Sequence, residues 1–170
     1  MADQWANFAV LVGGASAALT GLLFVAVSLN LDRIMESALL RAAAAQTLVV
    51  LVSPLLISIP IVIPGQTIQL LGLELTAIGI LVGLVSLVLQ TQNGSEEERR
   101  RVRLYRRVAP NLITTLLILA TGVSLVAGRG GGLYWAVPAV LVALIGGVTN
   151  AWLIMVRLRR EPATSASRLK

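Results

Sequence analysis

The chain has no cysteine and no histidine among its 170 residues. Without cysteine there are no disulfides, no thiolate-held zinc or iron–sulfur cluster and no thiol nucleophile. Without histidine, the commonest general base and metal ligand is gone as well. Neither an HExxH motif nor a nucleophile beside a base is present, and metal hydrolysis or acyl transfer would need such groups. The expectation is therefore a protein with no catalytic residues, no bound metal and no cofactor. Charge is also scarce, at 13% of residues, and acids are outnumbered: 8 Asp plus Glu against 14 Lys plus Arg.

What the chain has instead is long apolar runs. Hydrophobic residues make up 56% of it and the mean hydropathy is +0.86, far outside the range of a soluble domain of this size. About 20 apolar residues in a helix cross a hydrocarbon core of about 30 Å. Five runs qualify, at about 8–29, 42–63, 68–89, 109–127 and 133–156. The predicted fold is all-α, a polytopic transmembrane helical bundle occupying residues 1–156, followed by a basic cytoplasmic tail at 157–170. The first run contains an "ASA" at 15–17 that looks like a signal-peptide cleavage site. It is nonetheless read as a span, because no Lys or Arg precedes it and apolar residues continue to Leu31. Pro54 and Pro60 interrupt the second run; each removes an intrahelical hydrogen bond, which Ser53 and Ser58 are placed to offset.

Basic residues mark the direction of the spans, since Lys and Arg in short loops are retained on the cytoplasmic side. Residues 30–41 carry Arg33 and Arg41, residues 90–108 carry six arginines and the tail carries five basic residues, whereas the N-terminus and residues 64–67 carry none and residues 128–132 only Arg129. Five spans thus place 13 basic residues inside and one outside, with the N-terminus outside and the C-terminus inside. Trp5, Tyr134 and Trp135 then fall at the outer boundary, and Tyr105 and Trp152 near the inner one, as interfacial aromatics do. This distribution reads as membrane topology, with no nucleic-acid partner.

Residues 95–107, "SEEERRRVRLYRR", open with a capping box formed by Ser95 and Glu98 and are expected to form a short amphipathic basic helix ending near Pro110. Arg99, Arg100, Arg101, Arg103, Arg106 and Arg107 would face anionic lipid headgroups or a docking partner. The simpler reading is a solvated topology determinant, and the charge pattern alone is enough to require that.

Within the membrane, helix contacts are signalled by small residues at three-and-four spacing. Such stripes occur at Gly13, Ala17, Gly21, Phe24 and Ser28; at Gly72, Thr76, Gly79, Gly83, Ser86 and Gln90; at Asn111, Thr114 or Thr115, Ile118, Thr121 and Gly122; and at Ala139, Ala143, Gly146 and Asn150. Packing is the preferred reading, with an aqueous lining as the alternative. A second set, Ser28, Asn30, Asp32, Gln46, Asn111, Thr149 and Asn150, falls in the inner half. If these residues meet, they form a vestibule or cation site; otherwise they make hydrogen bonds between helices, with Asp32 paired to Arg33 or Arg41. Glu74 is an acid inside the third run, about 200° around the helix from Gly72. Either it meets a neighbouring helix or Arg129, or it reaches the outer headgroups; a proton or ion site is the functional alternative.

The segments "WANF" (5–8), "GASAALTGLLFVAVSLNLDRI" (14–34) and "VIPGQTIQLLGLEL" (62–75) resemble a family of small bacterial integral membrane proteins common in actinobacteria, some of which are labelled modulators of the FtsH membrane protease. The resemblance covers mainly the first half of the chain. It implies a multi-pass protein of the bacterial plasma membrane with an accessory role, and it assigns no catalytic residue; a homo-oligomer or larger membrane complex is a separate expectation for such a chain. The sequence thus leaves a non-enzymatic accessory or scaffold protein in first place. An oligomeric channel or small transporter using Glu74 and the inner polar set is the alternative.

Overall fold

The computed structural model describes the backbone of residues 2–91 and 100–160 and the side chains of residues 5–90 and 111–158. Its elements are all helical: α1 (Ala2–Leu29), α2 (Leu31–Glu36), α3 (Ala38–Val62), α4 (Ile68–Thr91), α5 (Arg100–Ala127), a 3₁₀ turn at Gly132–Trp135 and α6 (Ala136–Arg160). Four stretches, Trp5–Leu29, Ala38–Val62, Ile68–Gln90 and Gly132–Leu158, are long and apolar enough to cross a membrane, and α5 contributes a shorter apolar stretch, Asn111–Ala127.

Two boundaries differ from expectation. Helix α5 runs unbroken from Arg100 through Pro110, so over these residues the basic segment is the opening of a long helix and not a separate one. The missing amide of Pro110 costs one hydrogen bond, and the helix continues on both sides of it. The proposed capping box at Ser95 and Glu98 lies outside the described residues. The α1–α3 connection also contains a helix that hydrophobic periodicity did not reveal, the six-residue α2. Ile34 anchors α2 by burying its side chain among Leu40, Ala43, Ile154 and Leu158, and Ser37 starts α3 by accepting the Leu40 amide at 3.4 Å.

Successive long helices alternate in direction. At one end, Ala9 of α1, Ile57 and Ile61 of α3, Leu71 and Leu75 of α4, Leu125 of α5 and Ala139 of α6 close around Leu133 of the 3₁₀ turn. At the other end, α2 and the start of α3 meet the end of α6, where Arg33 donates to the Leu158 carbonyl at 3.2 Å. The axis of the bundle is α3, which packs against all four other long helices. Over its most apolar window 56% of residues are buried, against 22%, 33% and 28% for α1, α4 and α6. Those outer helices turn leucines outward, Leu11 at 71% and Leu29 at 80% exposed among them, a surface suited to lipid.

At Pro54 the chain has a partner for the carbonyl that the proline leaves open, whereas Ser58, expected to do the same for Pro60, donates to the Pro54 carbonyl and not to that of Leu56. Pro54 has no amide to give the Val50 carbonyl, and the Ser53 hydroxyl donates to that carbonyl at 2.8 Å, as the sequence indicates. The next carbonyl, that of Leu51, accepts from Ser16 of α1. The side chain of Leu51 fills the space over Gly147 of α6, where an added Cβ would lie 2.7 Å from Leu51 Cγ.

Helices α4 and α5 approach each other most closely. Any Cβ on Gly122 would collide with Thr76 Oγ1 and stand 2.6 Å from the Thr76 amide nitrogen and 2.8 Å from the Gly72 carbonyl oxygen. Farther along, Gly79 faces Ile118 and Leu119, and Gly83 faces Thr115. The small-residue stripes of the third and fourth runs are thus the two halves of one seam, and Ala139 and Ala143 of the fifth are fully buried. The stripe expected on α1 is a correction. Of its members only Gly13 is buried, against Ser58 and Leu55, while Ala17, Gly21, Phe24 and Ser28 are exposed. The face of α1 that packs is Ala9, Val12, Ser16 and Leu23, because it is the row that brings Ser16 to the Leu51 carbonyl.

Gly122→Ala is expected to destabilise the bundle by about 1–3 kcal/mol through overpacking against backbone that cannot move aside. Gly21→Ala, with nothing within 4 Å, is expected to be neutral or slightly stabilising through helix propensity. Thermal unfolding of the two variants in detergent checks the contrast.

Candidate functional site

Glu74 lies in the second turn of α4, half-buried beside the row Leu71, Leu75, Ile78 and Val82. Of that row, Leu71 and Leu75 belong to the cluster containing Ile57 and Ile61 of α3. Helix α4 is therefore sandwiched, with its glycine face on α5 and the next face on α3, and Glu74 sits at the margin of the second. Its partner is Gln66 of the α3–α4 connection, whose Nε2 donates to Oε2 of Glu74. The connection returns far enough to allow this because Gly65 takes a left-handed conformation, φ 72°, while Thr67 starts α4 by accepting the Leu70 amide at 3.3 Å. Gln66 Oε1 is buried and has no hydrogen-bond partner.

Arg129, the basic residue at the same end, is exposed and is not the partner of Glu74. Its backbone closes a Schellman motif at the end of α5. The Gly128 amide donates to Leu125 O and the Arg129 amide to Ser124 O, both at 3.2 Å, with Gly128 left-handed at φ 63°. Ser124 then holds the glycine-rich connection, since its hydroxyl donates to Arg129 O at 2.5 Å and accepts the Gly132 amide at 2.9 Å. The Trp135 indole pins Gly130 O at 2.6 Å. Nearby, Trp5 and Tyr134 meet edge to face with centroids 5.0 Å apart, joining the starts of α1 and α6.

Three residues of the inner polar set bond within their own helix or its end. Ser28 and Asn30 bond to the carbonyls four residues back, Phe24 O and Ala26 O, each at 2.9 Å, and Thr149 does the same to Ile145 O at 2.7 Å. Asp32 is exposed; Arg33 donates to Leu158 O and Arg41 to Met35 O, so neither arginine forms the ion pair anticipated for Asp32. Where α1, α2, α3 and α6 converge, the space is filled by the apolar cluster of Ile34, Leu40, Ala43, Ile154 and Leu158. Gln46 is buried on α3 and Asn150 half-buried on α6, while Asn111 is buried on α5. The side chains of Arg99, Arg100, Arg101, Arg103, Arg106 and Arg107 lie outside the described residues; the backbone of residues 100–107 forms the opening turns of α5.

Three hydrogen bonds escaped sequence reasoning: Ser16 to Leu51, Gln66 to Glu74, and Ser124 to its loop. For Ser124 a signal was available, because a serine just before a GRGGG run is placed to serve the backbone groups such a turn leaves open. Comparison of the chain with models of protein families, with curated proteins and with solved structures gave no match. What the geometry offers at Glu74 is a carboxylate held by a neutral amide at the rim of the bundle.

Glu74→Leu is expected to lower stability by about 1–2 kcal/mol, since it strands the buried Gln66 amide, whereas Glu74→Gln keeps a hydrogen bond and most of the stability. Equal unfolding midpoints for the two variants in detergent would show the pair to be energetically idle.

Proposed function

We propose that this chain is a non-enzymatic accessory or scaffold protein of the bacterial plasma membrane, crossing it five times with the N-terminus outside and the C-terminus inside. The observation that carries this reading is the filling of the bundle axis by apolar side chains: Leu51, Ile57, Leu75 and Ile118 are each at most 2% exposed. The hydroxyls of Ser28, Ser58, Thr47, Thr76, Thr121 and Thr149 are turned to carbonyls of their own helices and away from any common path. Such a bundle does its work on its surface, through the apolar outer faces of α1 and α4 and the basic end.

The orientation rests on charge. The end formed by α2, the start of α5 and the end of α6 carries Arg33, Arg41, the arginines of residues 99–107 and the basic tail, while the opposite end carries Arg129. Anionic headgroups at that end would add about 1 kcal/mol per arginine near the surface. The resemblance to bacterial membrane proteins labelled as protease modulators supports an accessory role, and the outward apolar faces would suit a homo-oligomer or larger complex. An oligomeric channel, the second reading, draws on Glu74, which is only half-buried within one chain.

Two measurements test this. Because the chain lacks native cysteine, Arg129→Cys in intact cells is expected to react with a membrane-impermeant maleimide, and Glu36→Cys only after permeabilisation; the reverse pattern overturns the orientation. Reconstituted into liposomes, the native chain is expected to give no ion flux above the lipid background. Specific flux that falls in Glu74→Gln would replace the scaffold reading with the channel.

A further inference from the structure

Six hydroxyls on the helices of this chain share a habit, and several break it: Ser16, Ser53 and Ser124 bond elsewhere, Thr20 Oγ1 is buried without a partner on α1, and three more stand at one place on α4 and α5. Ser28, Ser58, Thr47, Thr76, Thr121 and Thr149 each donate to the carbonyl four residues back. The hydroxyls of Ser86, Thr114 and Thr115 do not, and they have no hydrogen-bond partner, nor do Oδ1 and Nδ2 of Asn111. These four residues are 5%, 1%, 8% and 3% exposed, so bulk water does not reach them.

The residues lie together by register. Along the α4–α5 seam Gly79 faces Ile118 and Leu119, and Gly83 faces Thr115. One further antiparallel turn brings Ser86 to the level of Asn111. On α5, positions 111, 114 and 115 fall within about 100° of one another, on the side turned toward α4 and the bundle interior. Glycine at 83 leaves the width for this on the α4 side.

We propose that this part of the seam is a buried hydration site, in which one or two water molecules bridge Ser86, Asn111, Thr114 and Thr115. The chemistry selects a small uncharged ligand that both donates and accepts. Each hydroxyl can do either, and the carboxamide supplies one acceptor atom and one donor atom. A buried water typically makes about three hydrogen bonds, a number this set supplies for two molecules. A cation is disfavoured, because the set includes no carboxylate, and the acid on α4, Glu74, is about 18 Å along the helix from Ser86. The site is independent of the scaffold reading above. It would place a wet, adjustable contact at the basic end of a seam that is dry and backbone-tight at Gly72 and Gly122.

Water-edited solid-state NMR on threonine-labelled protein in lipid bilayers tests this. Thr114 and Thr115, assigned with the valine variants, are expected to receive water magnetisation several-fold faster than Thr47 and Thr121, whose hydroxyls are internally bonded. Transfer to Thr114 and Thr115 as slow as to Thr47 overturns the proposal in favour of a dry contact. Thr115→Val provides a second reading by its sign: removing a hydroxyl that holds a water lowers the unfolding midpoint by a few degrees. If the cluster is dry, the same change leaves the midpoint unchanged or raises it, which also overturns the proposal.

Discussion

At the level of Pro54, two carbonyls of α3 accept from side chains, one of them across to another helix. In hydrocarbon an unpaired backbone group costs several kcal/mol because no water can reach it. Ser53 serves the Val50 carbonyl from within α3, and Ser16 serves the Leu51 carbonyl from α1. The Leu51 side chain meets Gly147 on the opposite flank, so one residue binds α1 through its backbone and α6 through its side chain. The bond that Pro54 lacks, to the Val50 carbonyl, is supplied from within α3, and the attachment to α1 and α6 is made by Leu51.

Around that axis the chain uses two kinds of contact. Between α4 and α5 the backbones touch through glycine, and van der Waals packing and short separation take the place of a hydrophobic effect that lipid does not supply. At the two ends, side chains of several helices interlock around a small element: Leu133 of the 3₁₀ turn at one end and Ile34 of α2 at the other. Both short elements are pinned. Ser124 and Trp135 tie the glycine connection beside the 3₁₀ turn, and Arg33 bridges α2 to the last turns of α6. A bundle closed in this way at both ends is suited to holding a fixed surface toward lipid and partners.

The polar residues are divided by location. Those near the surface of the bundle bond back to their own helices and need nothing more. Glu74 is covered by a residue of its own connection, so the carboxylate is neither central nor paired with an opposite charge. Most of the buried side-chain groups left without a partner, those of Ser86, Asn111, Thr114 and Thr115, lie on facing stretches of α4 and α5, while Thr20 Oγ1 and Gln66 Oε1 stand apart from them; Asn111 is the one member of the inner polar set there.

Composition and periodicity settled the helical class, the five apolar helices, the alternation of basic and neutral connections, and the small-residue faces of α4 and α5. Those faces were legible because both helices carry small residues at three-and-four spacing; that they face each other was shown only by the packing. The packed face of α1 was not legible: residues 13–18 are all Gly, Ala or Ser, so small side chains occur on every side and spacing cannot choose among them. Nor could the sequence place Gln66 on Glu74, since that contact depends on the course of a turn through Gly65, or decide which residues of the inner polar set meet. Local pattern specifies which face of a helix is apolar or small. Which neighbour that face receives, and which polar atoms are then left without a partner, is decided only when all the helices pack at once.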